Sequence, residues 1–455
     1  MEDVRGRRRA VRTRSARGQA VGVLAALLAA AGLAACGNAA TSGGPAGNTD
    51  GVYPHRIVVG GLASQTGPLP ADFAPVLTGA KVYLDMVDAD GGVAGRRIDL
   101  AYELDDQSSP SLDASQARAL VEQYKVFAVV AVATPSFAGA AYLAAHGVPT
   151  FGLNVNPNSQ WAAGPSLFGN TGSWTDFSAP QLPPVLLAER HHVRSVAVLA
   201  YNVAASQQGC RGTINGFRRY GVRIAFEDLS IPAPASDLHA DVTRMKAAGV
   251  GMVVSCMDLG GNVLLSRTMH QAGMTGAIQY WFNGYGEQAL ADYRSAMQGV
   301  YLLLTHVPFE VATLDPGTYP GMDRFLATLH RYAPGTAPSE AALAGWESAD
   351  LFMTGLRAVG RDLTRTRLVR ALNKIRSFTA DGILPPVNWT KAHGPASISP
   401  YCNALVQARG SRFVPVYGTK PSVLTCFPVP LPTRAPIVPL TRLPAGVPPL
   451  GRPAP

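Results

Sequence analysis

One pattern occurs twice along this chain: short apolar runs alternate with segments of helical periodicity. The apolar runs cover residues 57–60, 97–104, 126–132 and 148–151, and then 195–200, 221–228, 250–255 and 278–282. Between them, apolar side chains recur at helical spacing, for example at Ala117, Leu120, Val121 and Tyr124. Strands that alternate with helices form parallel sheets with right-handed crossovers. The sequence therefore predicts an α/β fold with two similar Rossmann-like lobes.

The segments after the second repeat are less regular. A loop rich in Pro and Gly follows an apolar run at 300–305, helices are predicted at 337–360 and 363–374, and residues 378–416 resemble a hairpin. Residues 427–455 contain ten prolines, three arginines and no acidic residue. That composition is typical of an extended, disordered tail, because proline cannot continue a helix or a ladder of strands.

The amino terminus is typical of a secretory leader. Seven arginines within residues 1–18 precede a short, small and apolar segment at 19–35. This segment ends in Leu33-Ala34-Ala35-Cys36, which resembles the lipobox of bacterial lipoproteins, where the cysteine carries the lipid. We predict a lipoprotein signal peptide at 1–35, lipidation of Cys36 and a flexible tether at 36–55. An ordinary signal peptide with a chance cysteine is the alternative.

The predicted leader affects how the net charge and the cysteines are interpreted. The formal net charge is +9, but without residues 1–35 there are 32 basic residues against 28 acidic ones. No basic stripe remains, so we expect no nucleic-acid partner. Outside the cytoplasm disulfides persist. Four cysteines other than Cys36 allow three pairings, or they remain free thiols: Cys210, Cys256, Cys402 and Cys426.

Catalytic and metal-binding motifs are absent from the sequence. It contains no G-x-S-x-G elbow, no HExxH, no P-loop and no G-x-G-x-x-G after a strand. The neighbours His191-His192 and Asp105-Asp106 point apart, so neither pair makes a metal site or a shared acid and base. We therefore expect no enzyme activity, no cofactor and no metal.

Polar and aromatic loops follow the predicted strands. In open parallel sheets ligands bind beyond the carboxyl ends of the strands, so these loops supply the candidate ligand-binding residues. The candidates are Ser64, Gln65, Thr134, Ser136, Asn154, Asn156, Tyr201, Asp258 and Tyr285. Hydroxyls, amides and rings suit a small ligand that is hydrogen-bonded and sandwiched. Trp346 is a further candidate, with a core or hinge position as its alternative.

Several short motifs carry a resemblance to a known family. They are Ser64-Gln65-Thr66-Gly67, Gly79-Ala80, the run from Asp88 to Gly95, Asp105-Asp106-Gln107, Gly147-Val148-Pro149-Thr150, Asn388-Trp389 and Phe413-Val414-Pro415-Val416. In this order and spacing, residues 55–426 resemble the extracellular solute-binding proteins of ABC transporters. The branched-chain amino-acid (Leu/Ile/Val-type) binding family is the nearest type.

The resemblance implies the type I periplasmic-binding-protein fold, a Venus flytrap in which three crossings join two lobes. The crossings fall near Phe177, His306 and Cys402. Lobe one is then 56–176 and 307–402, and lobe two is 177–306 and 403–426. The same alignment implies bridges between Cys210 and Cys256 and between Cys402 and Cys426.

The resemblance also assigns roles within the site. The family's donors for a ligand carboxylate fall near Thr134, Ser136, Asn154 and Asn156, and its aromatic residue in lobe two falls at Tyr201. Tyr285 stands where the family has the acid that binds an α-ammonium, and Asp258 is a substitute for that acid. The family's aromatic residue after the first strand falls near Asp72-Phe73. The resemblance therefore does not single out an α-amino acid as the ligand. An amide, a carboxylate without an amine or a more apolar molecule is an equal alternative.

Together these features predict a solute-binding protein that a lipid anchors to the outer face of the cell membrane. It is expected to be a monomer that captures a small polar or amphipathic molecule and delivers it to an ABC transporter permease. A ligand sensor or scaffold on the same fold, without transport, is one alternative. A cell-surface enzyme is the other.

Overall fold

A computed structural model describes residues 48–395, 401–416 and 423–427. The predicted signal peptide, the lipidation site Cys36, most of the tether and nearly all of the proline-rich tail lie outside these residues. Within them, two α/β lobes each contain a parallel sheet, which confirms the predicted fold class. Among the described residues, none of the helices combines the length and the hydropathy that a membrane span requires.

The first sheet has five parallel strands in the order β2-β1-β3-β4-β5. Its strands are β1 (Arg56–Ala63), β2 (Arg97–Asp105), β3 (Ala128–Ala133), β4 (Thr150–Gly152) and β5 (Leu167–Gly169). Strand β3 is buried along its whole length, because helices cover both faces of the sheet. The helices of this part are the 3-10 helix η1 (Pro70–Asp72), α1 (Pro75–Ala89), α2 (Pro110–Glu122), α3 (Ala140–Ala145) and α4 (Asn158–Trp161).

The second sheet repeats this topology and extends it. The order β7-β6-β8-β9 reproduces β2-β1-β3-β4, and β10, β11 and β12 continue beyond β9. The strands are β6 (Ser195–Tyr201), β7 (Arg223–Ile231), β8 (Met252–Ser255), β9 (Ile278–Trp281), β10 (Tyr301–Leu304), β11 (Tyr401–Arg409), β12 (Arg412–Pro415) and β13 (Thr425–Phe427). The helices are α5 (Pro183–Arg190), α6 (Ala204–Arg219), α7 (His239–Ala247), α8 (Leu259–Gln271), α9 (Glu287–Asp292) and α10 (Arg294–Met297).

After β10 the chain returns to the first lobe. Four helices follow: α11 (Val311–Leu314), α12 (Pro320–Tyr332), α13 (Glu340–Val359) and α14 (Arg365–Leu372). Helices α12 and α13 pack against α1 and bury one face of the first sheet. The expectation of a loop after β10 misses α12, although Met322, Phe325 and Leu329 repeat at helical spacing and are buried.

Helices α1 and α13 approach backbone to backbone. A Cβ atom on Gly345 would lie 1.9 Å from the carbonyl oxygen of Val76, and one on Gly79 would lie 1.7 Å from that of Ala342. Both helices are therefore glycine-dependent at their crossing, and their amino-terminal ends are held close together in the first lobe.

The predicted hairpin over 378–416 is divided into two parts. Phe378 and Val387 form an isolated antiparallel bridge, whereas β11 and β12 form a separate hairpin that joins the second sheet through β10. Strand β11 begins at Tyr401, so Cys402, which was expected to be the last residue of lobe one, belongs to the second sheet. The division depends on which strands pair across a long stretch of sequence, as β11 does with β10, and a local sequence pattern does not predict such pairing.

Two disulfides have the expected pairing. The bridge from Cys210 to Cys256 joins α6 to the segment after β8, with a Cα–Cα distance of 5.9 Å. The bridge from Cys402 to Cys426 joins directly opposed residues of β11 and β13. In the chain-entropy account each bridge stabilises the fold by about 3–4 kcal/mol.

Candidate functional site

A cleft of about 1260 Å³ lies between the two lobes. Segments that follow β1, β4 and β5 line it from the first lobe, and segments that follow β6, β8 and β9 line it from the second. These are the carboxyl ends of strands, where parallel sheets place ligands. Four of the candidate residues line the cleft: Asn154, Tyr201, Asp258 and Tyr285.

Asp258 is fixed at the amino end of helix α8. Its carboxylate accepts hydrogen bonds from the backbone N–H groups of Gly261 (2.9 Å) and Gly260 (3.2 Å), which caps the helix. It also accepts a short hydrogen bond from the hydroxyl of Tyr201. Burial and the Asp258 carboxylate both raise the pKa of Tyr201, so Tyr201 stays neutral and acts as a donor.

Asp72 faces this group from the first lobe. It ends η1, is half-buried and lies beside the backbone N–H of Leu259. Burial, followed by the charge of Asp258, raises the pKa of Asp72 to about 7. Two carboxyl groups from opposite walls therefore lie close enough to repel one another across the cleft.

Asn154 lines the cleft from the loop after β4. Its side-chain amide donates to the carbonyl of Gly172 and to the hydroxyl of Thr175, and its backbone N–H donates to Asn170 at 3.1 Å. Its Oδ1 atom has no hydrogen-bond partner among the described residues, although the residue is only 9% exposed. Asn154 therefore lines the cleft and contains a buried acceptor atom without a hydrogen-bond partner among the described residues.

Tyr285 lines the cleft as part of a cluster of aromatic rings. Its hydroxyl donates to Glu310 (2.7 Å) and accepts the backbone N–H of Phe309 (2.6 Å). Its ring stacks on Phe309 at 4.7 Å and packs against Phe413 at 4.8 Å. Burial raises the pKa of Tyr285 and raises that of Glu310 to about 6. Because the hydroxyl is engaged inside the protein, Tyr285 offers a ligand its ring.

Glu340 begins helix α13 at the edge of the cleft and pairs with His306 at 3.5 Å. Burial disfavours the charged form of His306, but Glu340 and Glu347 outweigh it and hold the pKa of His306 above its usual value. Burial raises the pKa of Glu347 to about 7, while Asn170 donates to its carboxylate at 2.8 Å. This network joins the crossing near His306 to the first lobe.

Three candidate residues form contacts inside the first lobe and do not line the cleft. Ser64 is fully buried and donates to Asp106 at 2.5 Å. Gln65 donates through its side chain to the carbonyl of Glu103 at 3.3 Å. Trp346 is buried between Tyr83 and Phe325, whose ring centroids lie 4.6 Å and 5.6 Å from its own. This is the core position predicted from the sequence as the alternative for Trp346.

Polar groups of the loop after β3 also form hydrogen bonds within the first lobe. Thr134 and Ser136 bond to each other through the turn, and Pro135 between them is the residue that lines the cleft. Asn156 donates to the carbonyl of Thr134 at 2.9 Å and accepts from Trp161 at 3.1 Å. These contacts stabilise the loop itself, so the side chains of Thr134 and Asn156, two of the four residues that the resemblance assigned to a ligand carboxylate, are hydrogen-bonded within their own lobe.

Several residues that line the cleft were not among the predicted ligand-binding residues. They are Asp72, Phe73, Trp174, Phe177, Phe282 and Glu340. For Asp72 and Phe73 the signal was the resemblance, which places the family's aromatic residue after the first strand near them. Trp174 follows β5, a strand of only three residues without a readable period. Among the described residues no three His, Cys, Asp or Glu side chains are placed to hold a metal ion.

Comparison with known proteins gives consistent results. The family model described as periplasmic binding protein matches residues 56–410. No curated protein matches the sequence significantly. Solved structures do match, and the three described next have identities below 20%, which establish likeness of fold.

Three of these structures illustrate the likeness. The fatty acid ABC transporter substrate-binding protein from Thermomonospora curvata is 16% identical with a TM-score of 0.64, and the match covers 79% of this chain and 90% of that one. A solute-binding protein of an ABC transporter from R. palustris, in complex with benzoate, is 19% identical with a TM-score of 0.65, covering 79% and 95%. The branched-chain amino acid transporter substrate-binding protein LivJ from Streptococcus pneumoniae, in complex with isoleucine, is 18% identical with a TM-score of 0.63, covering 79% and 97%.

Proposed function

This chain belongs to the family of periplasmic binding proteins, and from that premise we propose that it is a lipid-anchored, extracytoplasmic solute-binding protein. It captures a small amphipathic molecule between its two lobes and delivers it to the permease of an ABC transporter. It acts as a monomer, without a cofactor.

The cleft is the observation that carries this proposal. Its volume of about 1260 Å³ lies somewhat above the range of about 300–1,000 Å³ that is usual for small-molecule sites. Each wall comes from a different lobe, so a ligand that contacts both walls stabilises the closed arrangement of the lobes. Delivery requires that a permease bind the loaded protein in preference to the empty one. Because the ligand stabilises the closed arrangement, a permease can recognise the loaded protein by its shape.

The lining supports an amphipathic ligand. Phe73 and Trp174 on one wall and Phe282 on the other supply aromatic surface, while Asn154 and Asp258 supply polar atoms. The related folds described above include proteins named for a fatty acid or solved with benzoate or isoleucine. Because the α-ammonium position of the family is Tyr285 here, an α-amino acid is not the ligand that we propose.

Membrane attachment through Cys36 is part of the proposal. Two or more acyl chains on one cysteine anchor a protein stably, since a single chain binds only marginally. Substitution Cys36→Ser should move the protein from the membrane fraction to the medium or the soluble fraction, and should abolish labelling by a radioactive fatty acid. Retention of label in that variant would contradict the anchor while leaving the binding function intact.

The binding function is tested by thermal melting of the mature chain against amino acids, amides, short acids, amines, aromatic compounds and sterols. A ligand at about 100 times its dissociation constant adds about 2.7 kcal/mol to the free energy of unfolding, which is a shift of several degrees. Small-angle scattering of the same samples should show a smaller radius of gyration with the ligand. Ligand binding without closure would favour a sensor or scaffold, and co-purification with a permease would separate transport from both.

A further inference from the structure

Charged side chains of one sign dominate the cleft. Among the described residues that line it, five bear a carboxyl group, whereas Arg219 alone bears a positive charge. The five acidic residues are Asp72, Asp176, Asp258, Asp292 and Glu340. Arg219 is exposed, at the last position of α6. The electrostatic field of the described lining therefore attracts a cation and repels an anion.

The inner two carboxyl groups lack positive partners. Asp72 and Asp258 come from opposite walls, and neither forms an ion pair with a described lysine, arginine or histidine. Glu340 differs because it pairs with His306. Asp176 and Asp292 are exposed at the rim, where water screens their charge. Away from the rim, Asp72 and Asp258 are thus the carboxyl groups of the described lining that have no cationic side-chain partner, and the charge of Asp258 is stabilised by its helix cap and by Tyr201 alone.

Apolar and aromatic surface surrounds this pair. Phe73 adjoins Asp72 in the chain, Leu259 adjoins Asp258, and Phe282 and Trp174 line the same cleft. Aromatic faces attract organic cations in addition to burying hydrocarbon. Asn154 also lines this cleft, and its buried Oδ1 atom has no hydrogen-bond partner among the described residues.

Resting on the proposed solute-binding function, we infer that the ligand is an organic cation with a hydrophobic body, whose ammonium group lies between Asp72 and Asp258. Without a cation, the carboxyl groups of Asp72 and Asp258 repel each other across the cleft. An ammonium group between them is attracted to both and so draws the two lobes together. Ligand binding and closure of the lobes are therefore driven by the same pair of contacts.

A ligand with a free carboxylate fits this surface less well. The amino end of α6 opens on the cleft at Val203 and Ala205 without a side-chain cap, and its N–H groups favour an oxygen acceptor. A carboxylate placed there would still face five carboxyl groups and a single guanidinium. A hydroxyl or carbonyl oxygen of a cationic ligand uses the same N–H groups without that repulsion.

Matched probes test the inference. Hexylamine, hexanol and hexanoate share one body, as do benzylamine, benzyl alcohol and benzoate, so calorimetric titration of each set at neutral pH isolates the head group. The amine should bind at least tenfold more tightly than the alcohol, and the carboxylate should bind most weakly. A carboxylate that equals or exceeds its amine, or a set in which no amine binds, overturns the inference. Binding of an alcohol or a carboxylate in such a case leaves the solute-binding function in place.

Two variants locate the head group. Asp258→Asn removes the charge but keeps a side chain that caps helices as well as aspartate does, and Asp72→Asn removes the charge of the other wall. Each should weaken binding of the amine about tenfold or more while leaving binding of the alcohol within about twofold. Asp85→Asn, on the exposed face of α1 outside the cleft, is the matched control and should change neither. Unchanged amine affinity in both cleft variants, with the alcohol confirming a folded site, contradicts the assignment.

Discussion

Because helices α1 and α13 cross with their backbones in contact, we expect Gly345→Ala to lower the free energy of unfolding. The added methyl group would lie 1.9 Å from the carbonyl oxygen of Val76 and 2.8 Å from the backbone nitrogen of Ala80. Both neighbours are backbone atoms of a helix, so no side chain can rotate to make room. The two helices must instead move apart.

The size of the effect follows from this distance. A carbon atom normally stays about 3.3 Å or more from a carbonyl oxygen, so the helices must separate by roughly 1.4 Å. Overpacking of a well-packed core costs about 1–3 kcal/mol, and a rigid backbone places this site near the upper end. Alanine recovers about 1 kcal/mol through its helix propensity. The net loss in the free energy of unfolding is about 2 kcal/mol, or about 4–8 °C in Tm.

Gly209→Ala is the matched control. Gly209 also lies inside a helix, α6, but the nearest atom to its new methyl group would be the Sγ of Cys256 at 3.9 Å. Without a clash, the helix propensity of alanine should raise the stability by up to about 1 kcal/mol. Thermal and urea unfolding followed by circular dichroism should therefore give shifts of opposite sign in the two variants. A Gly345→Ala protein that melts at or above the wild-type temperature would refute the close approach of the helices.

Three further predictions concern the acidic pair, the lining and a disulfide. Because burial and then Asp258 raise the pKa of Asp72 from 3.8 to about 7, with Glu340 adding to the effect, the unfolded chain releases this proton first as the pH rises. The Asp72 carboxyl should thus lower the stability of the ligand-free protein progressively between about pH 4 and about pH 7. Asp72→Asn should be increasingly more stable than the wild type over that window in urea titrations, and a constant difference would exclude the effect. Asn154→Ala should weaken binding of the ligand identified by melting, whereas Ser136→Ala should leave its dissociation constant unchanged in calorimetry; equal losses would show that Ser136 contributes to the site. Replacing Cys210 and Cys256 together by serine opens a loop closed over a sequence separation of 46, which should lower the free energy of unfolding by about 4 kcal/mol, and an unchanged urea midpoint would contradict the bridge.

Much of the fold was readable because its signals are local. A continuous apolar run such as Ala128–Ala133 predicts a strand covered on both faces, and the same order of runs in both halves predicts two sheets of like topology. Helix α12 was readable in principle from Met322, Phe325 and Leu329, but the prolines and glycines around it favoured a loop. Strand β5 has three residues, too few to show a period.

The site was readable only in part. Tyr201 and Asp258 follow predicted strands, and their side chains do line the cleft. Ser64 and Asn156 follow predicted strands equally well, but Asp106 and Trp161 bind them inside the first lobe. Both outcomes satisfy buried polar groups, so the sequence pattern cannot distinguish them.

The sequence by itself determined the two α/β repeats, the expected leader and the loops from which a binding site could be built, because hydrophobic periodicity and composition are properties of neighbouring residues. Only the tertiary structure decided which loop side chains face the cleft, because that depends on partners distant in the chain. The meeting of Asp72 with Asp258 is the clearest instance. These residues are 186 positions apart, and only the apposition of the lobes makes them one feature.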